Sequence, residues 1–482
     1  MPTPIETDNN QMKARPLSLA VWLIMLLSLS ACSPFSASLI PADSVQMPQQ
    51  YALYDASGDS SAPDQWWQSF ASEDLNRLIE QALADNLSLK QTWAKLEQAG
   101  ALTRQSGSSR YPDLSLTSGS QNSQTHTNGS TSNSEEYSAG LSSSFELDLW
   151  GRVSATINVQ SQTQLATAED LKSSAITVAG EVSDRWLKLL GQAEQQRLLN
   201  EQLATATDYL RLVDLRYRKA QATAVDLLQQ QESIAALKTQ MPALQSAQQR
   251  YSHEIAVLLG NNPQQDLGLT QFSLPQLPPL PELGLPAELL ARRPDIRAAG
   301  MRLKAADWQL SSAKADRLPA LKLTAGVNSS SASFSDLFDN WILNLAANLT
   351  APLLDGGKRD AEVDYRQAII DEKLAAYQET VLTAIHEVED AMISEQKLIE
   401  QLEAMEYQDD IARQALKAAE DRYKSGLSTY LPVLTELQSV ETLQQNLTSQ
   451  RLSILTNRVS LYRALGGSWP AQLVSPEKEV SL

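Results

Sequence analysis

The stretch APLLDGGKRD, Ala351–Asp360, sets two glycines before a lysine, after an apolar run and ahead of a long helical pattern. A phosphate-binding loop reads G-x-x-x-x-G-K followed by Ser or Thr, because backbone amides and a hydroxyl must converge on phosphate and metal. That spacing is missing, and Arg359 follows Lys358. The stretch is instead one of two copies. FELDLWGR (Phe145–Arg152) resembles APLLDGGK (Ala351–Lys358) at an offset of 206. YRKAQATAVDLL (Tyr217–Leu228) and YKSGLSTYLPVL (Tyr423–Leu434) repeat the offset of 206, as do the LLG ending at Gly260 and the ALG ending at Gly466. YPDLSLTSGS (Tyr111–Ser120) and LPALKLTAGV (Leu318–Val327) lie 207 apart. Four matches in one order at a near-constant offset define a tandem duplication.

Each copy carries the same grammar. Tyr137, Ala139, Leu141, Phe145 and Leu147 alternate with Ser138, Gly140, Ser142, Ser144, Glu146 and Asp148. Period two makes a strand with one apolar and one polar face. Leu114 and Leu116 mark its partner; Leu321, Leu323, Ala325 and Val327, then Leu343, Leu345, Ala347, Leu349 and Leu353, mark the second pair. SQTHTNGSTSNSEE and SSSASFSDLFDN read as polar loops between the strands of two hairpins, 111–148 and 318–354. Strands of about ten to thirteen residues suit a tilted crossing of a bilayer. A water-soluble sheet packed on helices would need an apolar partner layer that the remaining sequence does not offer.

The rest is helical. Lys358 to Ser425 holds neither Gly nor Pro over 68 residues, roughly 100 Å of helix at 1.5 Å per residue. Val381, Ile385, Val388, Met392, Ile399 and Leu402 follow a 4-3 spacing, the signature of coiled-coil packing. Copy one has an equivalent run from Arg152 to about Arg218, interrupted by Gly180 and Gly191. Shorter runs, Glu73–Gln105 with Val225–Leu259 and Ala287–Lys314 with Leu431–Leu465, are each roughly 50 Å long, so two end to end match one long helix. LLARRPDI reads as a helix interrupted at Pro294, with Asp295 placed to cap the helix beyond it. The joints from strand to long helix fall at Gly151 in copy one and at Gly356 and Gly357 in copy two, where the turn requires unusual dihedrals.

Composition narrows the function. There are 39 basic and 57 acidic residues, a net charge of −18, which argues against nucleic acid as a partner. His126, His253 and His386 stand alone in sequence, so no metal site is expected. Only Pro16–Ala31 approaches membrane length as an apolar run, and it ends at the single cysteine, Cys32. Residues 1–31 read as a signal peptide, with Met12 a better native start than Met1 because Glu6 and Asp8 spoil a basic leader. LSAC, Leu29–Cys32, resembles a bacterial lipobox, which makes Cys32 the lipid-attachment site. Ser33 rather than Asp comes directly after it, which favours the outer membrane. The Pro-rich tract 273–286 reads as a linker between a first repeat, 32–272, and a second, 287–467, with a tail at 468–482.

Four strands cannot close a barrel, and an open sheet edge is forbidden in lipid. Two chains would supply eight strands and three would supply twelve. Eight-stranded barrels are filled by side chains, whereas twelve leave a bore that can continue into a helical tunnel. The expected fold is α+β: a trimeric twelve-stranded transmembrane β-barrel, four strands per chain, continuous with a long α-helical coiled-coil barrel.

The lipobox, DQWWQSFASEDLNRLIEQALADNLSL, ELDLWGR, LLARRPDIRAAG, PLLDGGKR, YKSGLSTYLPVL and LYRALGGSW together resemble the outer-membrane factor (TolC-like) family, in its lipoprotein branch (OprM/NodT-like). The resemblance covers nearly the whole chain after Cys32. It implies a homotrimer in the outer membrane with a large periplasmic part. It also implies a periplasmic adaptor (membrane-fusion protein) and an inner-membrane pump, often of the RND class. The helix turns near Ala220, Thr223, Gly426 and Ser428 are then the tips that meet the adaptor. The family's Gly at the copy-one turn is replaced by Ala220, a departure expected to stiffen or shift it. The family's leucine constriction falls on Leu431, and the acid that many relatives carry one turn later falls on Thr435, which weakens cation selectivity. A latch found in some relatives falls on Asp226 and Tyr423, but its supporting arginine corresponds to Ser428. The alternative for Asp226 is a helix N-terminal charge.

The function so implied is a passive exit duct for drugs or other small molecules. No enzymatic activity is expected, and no cofactor beyond a covalent lipid on Cys32. A type I protein-secretion channel of the same fold and a non-conducting trimeric lipoprotein stalk or adhesin are the competing readings.

Overall fold

The computed structural model describes residues 65–281 and 286–467, together with Pro48 and Tyr51. The signal stretch, Cys32 and the tail 468–482 lie outside the described residues. So do positions 282–285 of the Pro-rich tract.

Four strands form one antiparallel sheet: β1 (Asp113–Thr127), β2 (Ser130–Leu147), β3 (Ala320–Ser331) and β4 (Ile342–Thr350), in spatial order β1-β2-β3-β4. The central pairing, β2 with β3, joins the two copies. The register lines up like with like. Leu116 faces Leu141, which faces Val327, which faces Leu343. Beside that row, Ser115, Ser142, Gly326 and Asn344 are in register on the opposite face. Alternation in each strand therefore becomes one apolar and one polar face of the whole sheet. The apolar face is uncovered in the single chain: Leu116 and Leu345 are each 74% exposed.

The hairpins differ from the sequence reading. SQTHTNGSTSNSEE is not a loop. Most of it belongs to β1 and β2, which are 15 and 18 residues long and meet at a two-residue turn, Asn128–Gly129. Both turn residues have positive φ, 48° and 84°, as a tight Asn-Gly hairpin turn requires. Serine and threonine hydroxyls pair across the ladder, as in Ser123 with Ser134 at 3.0 Å. Polar composition here marks a hydroxyl-lined ladder, not irregular chain. In the second hairpin the strands are 12 and 9 residues long. The alternation stops at Thr350, and Leu353 lies beyond the strand ahead of the joint.

The helices are α1 (Glu73–Asp85), α2 (Leu87–Gly107), α3 (Arg152–Arg218), α4 (Ala224–Leu258), α5 (Pro294–Ala315), α6 (Lys358–Lys424) and α7 (Leu431–Ala464). Helices α3 and α6 each have 67 residues and both ends are offset by 206. No helix among the described residues is long and apolar enough to cross a membrane. The single run expected over Glu73–Gln105 is broken at Asn86. Its side-chain oxygen accepts from the amides of Ser88 (2.9 Å) and Leu89 (3.1 Å), and its side-chain nitrogen donates to the Leu258 carbonyl at 2.8 Å. Gly180 and Gly191 do not interrupt α3. A Cβ at Gly191 would stand 2.7 Å from Leu452, and one at Gly180 would strike Arg463. These glycines permit close approach of α7. The run expected from Ala287 begins in a short helix, Leu289–Arg292, before Pro294 opens α5.

The chain divides into two compact units. One comprises Ala101–Gln162 and Leu303–Glu372 and contains the sheet; the other's described residues lie within Pro41–Gly100, Thr163–Arg302 and Lys373–Leu482. The second unit has a core of Trp66, Trp67, Phe70 and Trp186 with Leu75, Leu78 and Tyr462. Trp66 stacks on Tyr462 with centroids 5.2 Å apart. Arg293 is buried there, donating to Glu387 (2.6 Å), Asp295 (2.7 Å) and the Ala464 carbonyl at the end of α7 (2.9 Å). The heptad stripe of α6 is buried at Val381, Val388 and Met392. Its skipped position is Glu395, also buried, which takes a bidentate pair of bonds from Arg458 at 2.7 and 2.6 Å. Arg458 also donates to the carbonyls of Pro278 and Pro279. A buried guanidinium thus ties the Pro-rich tract to α6 and α7.

Removing one partner of a buried pair strands the other charge. Glu395→Ala is expected to destabilise the protein by about 3–5 kcal/mol, whereas Glu395→Leu combined with Arg458→Met recovers most of the loss. Thermal midpoints of the three proteins in detergent check this; equal midpoints for Glu395→Ala and the parent would show that the pair does not anchor the tract.

Candidate functional site

The strand-to-helix joints are built alike in the two copies. Asp148 accepts from the amides of Val153 (3.0 Å) and Ser154 (2.8 Å) at the start of α3. Asp355 accepts from the amides of Gly357 (3.1 Å) and Arg359 (3.3 Å) at the start of α6. A carboxylate at a helix N-terminus satisfies free amides and meets the positive end of the dipole. Gly151, Gly356 and Gly357 have φ of 78°, 67° and 85°, values that a side chain disfavours. Copy one adds a bidentate ion pair from Arg152 to Glu146 at 2.8 and 2.7 Å. Copy two uses Arg359, which reaches Asp355 at 3.0 Å and the Asp316 carbonyl at 2.9 Å.

The two helix turns are also superimposable in their hydrogen bonding. Ala220 N–H donates to Tyr217 (2.9 Å) and Gln221 N–H to Arg216 (2.8 Å); Gly426 N–H donates to Tyr423 (3.0 Å) and Leu427 N–H to Arg422 (2.9 Å). This is the Schellman closure of a helix C-terminus. Ala220 adopts φ 55° where Gly426 adopts 74°. The turn does not shift; alanine is held in the left-handed region that glycine would enter freely. Thr223 caps α4 in a reciprocal box: its hydroxyl accepts from the Asp226 amide at 3.2 Å, and the Asp226 carboxylate accepts from the Thr223 amide at 2.8 Å.

That box occupies Asp226, and the expected bond from Asp226 to Tyr423 is not made. The Tyr423 hydroxyl is buried without a hydrogen-bond partner, as is the Ser428 hydroxyl. Arg216 instead lies over the Tyr423 ring, 4.3 Å from its centroid, and donates to its carbonyl at 2.8 Å. Burial raises the Tyr423 pKa; the Asp226 charge adds to the rise and Arg216 opposes it. Leu431 begins α7 with its side chain 51% exposed. Thr435 sits one turn later on the same exposed face, its hydroxyl donating to the Leu431 carbonyl at 3.0 Å. Leu431 and Thr435 are thus presented together on an open surface, whereas Asp226 and Tyr423 are not joined.

Three side chains near these turns escaped the sequence reading. Tyr430 and Gln230 are fully buried and bonded to each other at 2.7 Å. Glu441 is 5% exposed, and one of its carboxyl oxygens has no partner. Burial pushes its pKa up to about 7. The signal for Glu441 was present in the pattern. It falls in the buried stripe with Leu434, Leu437 and Val440, and its copy-one equivalent, 206 residues earlier, is Ala235.

Comparison with known proteins places most of the chain in one family. The profile of the family described as Outer membrane efflux protein matches residues 78–261 and 285–467. The pyoverdine export outer membrane protein OpmQ of Pseudomonas aeruginosa is 33% identical over 456 residues, covering 92% of this chain and 95% of its own. The outer membrane protein OprJ of the same species is 31% identical, covering 93% of this chain and 95% of its own. Among solved structures, CusC, described for its transmembrane channel formation, matches with a TM-score of 0.82 at 26% identity over 89% of this chain and 99% of its own. The outer-membrane channel OprN matches with a TM-score of 0.80 at 26% identity over 91% of this chain and 98% of its own. The chain belongs to the outer membrane efflux protein family. It is an outer-membrane efflux channel protein of TolC-like fold.

The raised pKa of Glu441 has a stability consequence with a definite sign. A carboxyl whose folded pKa lies above its unfolded value favours the neutral form. The associated stability is full below the unfolded pKa and is lost as pH rises through about 7. Glu441→Gln keeps the shape and removes the ionisation. It is expected to stabilise the protein at pH 8.5 by on the order of 2 kcal/mol and to match the parent near about pH 4. Thermal midpoints across that range check it; a constant difference at all pH values would show that Glu441 does not titrate with folding.

Proposed function

We propose that three copies of this chain form the outer-membrane exit duct of a tripartite efflux system. The observation that carries the reading is the sheet: four strands with a continuous exposed apolar face, and outer edges on β1 and β4 that no described strand of the chain covers. In lipid such edges require partners. Three sheets joined β4 to β1 give a closed barrel of twelve strands, an even number within the range that such barrels use. The polar face lines water and the apolar face meets lipid.

Two repeats, 32–272 and 287–467, joined by the tract 273–286, supply strands and helices in parallel to that duct. A lipid on Cys32 adds a second hold on the membrane. The turns bearing Ala220, Thr223, Gly426 and Ser428 meet a periplasmic adaptor, and an inner-membrane pump supplies the energy. The chain carries out no catalysis and uses no cofactor beyond that lipid. Relatives are named for export of pyoverdine, for antibiotic efflux and for toluene efflux. These cargoes share little chemistry, which fits a passive duct that selects little. Leu431 from each of three copies forms an apolar constriction, and Thr435 in place of an acid leaves it weakly cation-selective.

Deleting the gene is expected to raise susceptibility to small toxic molecules and to leave secreted proteins unchanged; loss of a secreted protein with unaltered drug susceptibility would sink the efflux reading. In planar bilayers the purified protein is expected to conduct, and Leu431→Ala to raise single-channel conductance. Unaltered conductance in that variant would remove Leu431 from the constriction.

A further inference from the structure

Among the residues of the four strands, Lys322 alone is Lys or Arg. It belongs to the polar face: Glu146 and Asn348 stand in register with it on the neighbouring strands, and its neighbours Leu321 and Leu323 point the other way. Lys322 is exposed. It lies near the start of β3, at the end of the sheet that leads into the long helices. There it borders a cavity of about 390 Å³ whose other charged lining residues are Glu146, Asp148, Arg152, Asp316, Asp355 and Arg359. Those charges are matched. Arg152 takes both carboxylate oxygens of Glu146, Arg359 bonds Asp316 and Asp355, and Asp148 is held by the first amides of α3. The Lys322 ammonium makes no ion pair or hydrogen bond among the described residues.

We propose that Lys322 determines specificity in the duct: three copies of it form a ring of positive charge at the periplasmic mouth of the barrel, which favours the passage of small inorganic and organic anions. The proposal rests on the trimeric barrel with its polar face inward. Twelve strands about 4.8 Å apart and tilted by about 40° put the axis roughly 12 Å from the backbone. The Debye length is about 10 Å at 0.1 M salt and about 3 Å at 1 M. The field of the ring therefore reaches the axis at the lower salt and is extinguished at the higher. Three unit charges about 10 Å away in water, screened at 0.1 M, raise the local anion concentration about twofold and lower that of cations by the same factor.

The charge belongs to one copy only. At the offset of 207, Lys322 corresponds to Ser115 (322 − 207), whose hydroxyl pairs with that of Ser142 at 2.8 Å. Acids on the same face stand apart from the ring. Asp113 lies two strands away, where its carboxylate accepts from the Ser144 amide at 2.8 Å. Glu136 lies far up β2, in register with Gln121. The competing role for Lys322 is a cross-strand partner for Glu146, which would make it a strut of the sheet. Arg152 already fills that role with two bonds, so the lysine charge is left to the water of the bore.

The test compares the full-length parent with Lys322→Gln, Lys322→Glu and Lys322→Arg in planar bilayers. Reversal potentials are read across gradients of potassium chloride and of potassium benzoate, at about 0.1 M and at about 1 M salt. At the lower salt Lys322→Gln is expected to reduce the anion-to-cation permeability ratio about two- to fourfold. Lys322→Glu reduces it further, and Lys322→Arg matches the parent. At the higher salt the four proteins converge. If the parent conducts and Lys322→Gln and Lys322→Glu keep its permeability ratio, the ring is wrong and the duct stands. A lowered thermal midpoint in Lys322→Gln with that ratio unchanged returns Lys322 to pairing with Glu146. A change in ratio that persists undiminished at the higher salt also overturns the ring, because a screened charge cannot produce it. Absence of conductance in all four proteins overturns the duct and the ring together.

Discussion

Backbone amides and carbonyls along the free edges of β1 and β4 are the constraint on which the remaining structure depends. A sheet with an apolar face belongs in hydrocarbon, and hydrocarbon offers no hydrogen-bond partner for an edge. Four strands from one chain leave two such edges. The register aligns Leu116, Leu141, Val327 and Leu343 in one row, so the apolar face is continuous up to both edges. The duplication meets half of the requirement within the chain, because β2 and β3 come from different copies and pair with each other. Further copies of the chain meet the rest.

A second constraint acts where each sheet hairpin hands over to a long helix. The chain must change dihedrals abruptly and satisfy the first amides of a 67-residue helix. Both copies place an aspartate before the helix and glycine beside it, at Asp148 with Gly151 and at Asp355 with Gly356 and Gly357. At the other end of these helices the copies share a backbone solution but not its side chains. Ala220 tolerates what Gly426 adopts without strain. Asp226 caps its helix in copy one, whereas in copy two Tyr430 reaches across to Gln230. The two turns share their backbone hydrogen bonds and differ in the side chains that close them.

Much of this was legible in the residues. Strict alternation marked the strand faces, and the absence of Gly and Pro between Lys358 and Ser425 marked the long helix almost to its ends. Other features were obscured because local composition points both ways. Asn128–Gly129 carried a tight-turn signal, but the serine- and threonine-rich flanks read as loop rather than ladder. Asn86 looks like one more polar residue on a helix, yet its side chain caps the next one. Glu395 was visible as a gap in a 4-3 pattern, and only Arg458, 63 residues further on, explains how a charge sits there.

The sequence by itself determined the duplication, the strand faces, the long helices and the joints, because each is written in short-range periodicity that any local window contains. Tertiary structure decided which polar side chains meet. Asp226 turned inward to its own helix terminus, three residues away, at little cost in chain entropy. Tyr430 found Gln230 across 200 positions, since burial left each of them without water. Those choices depend on which groups are desolvated together, and that is fixed only when helices distant in sequence pack side by side.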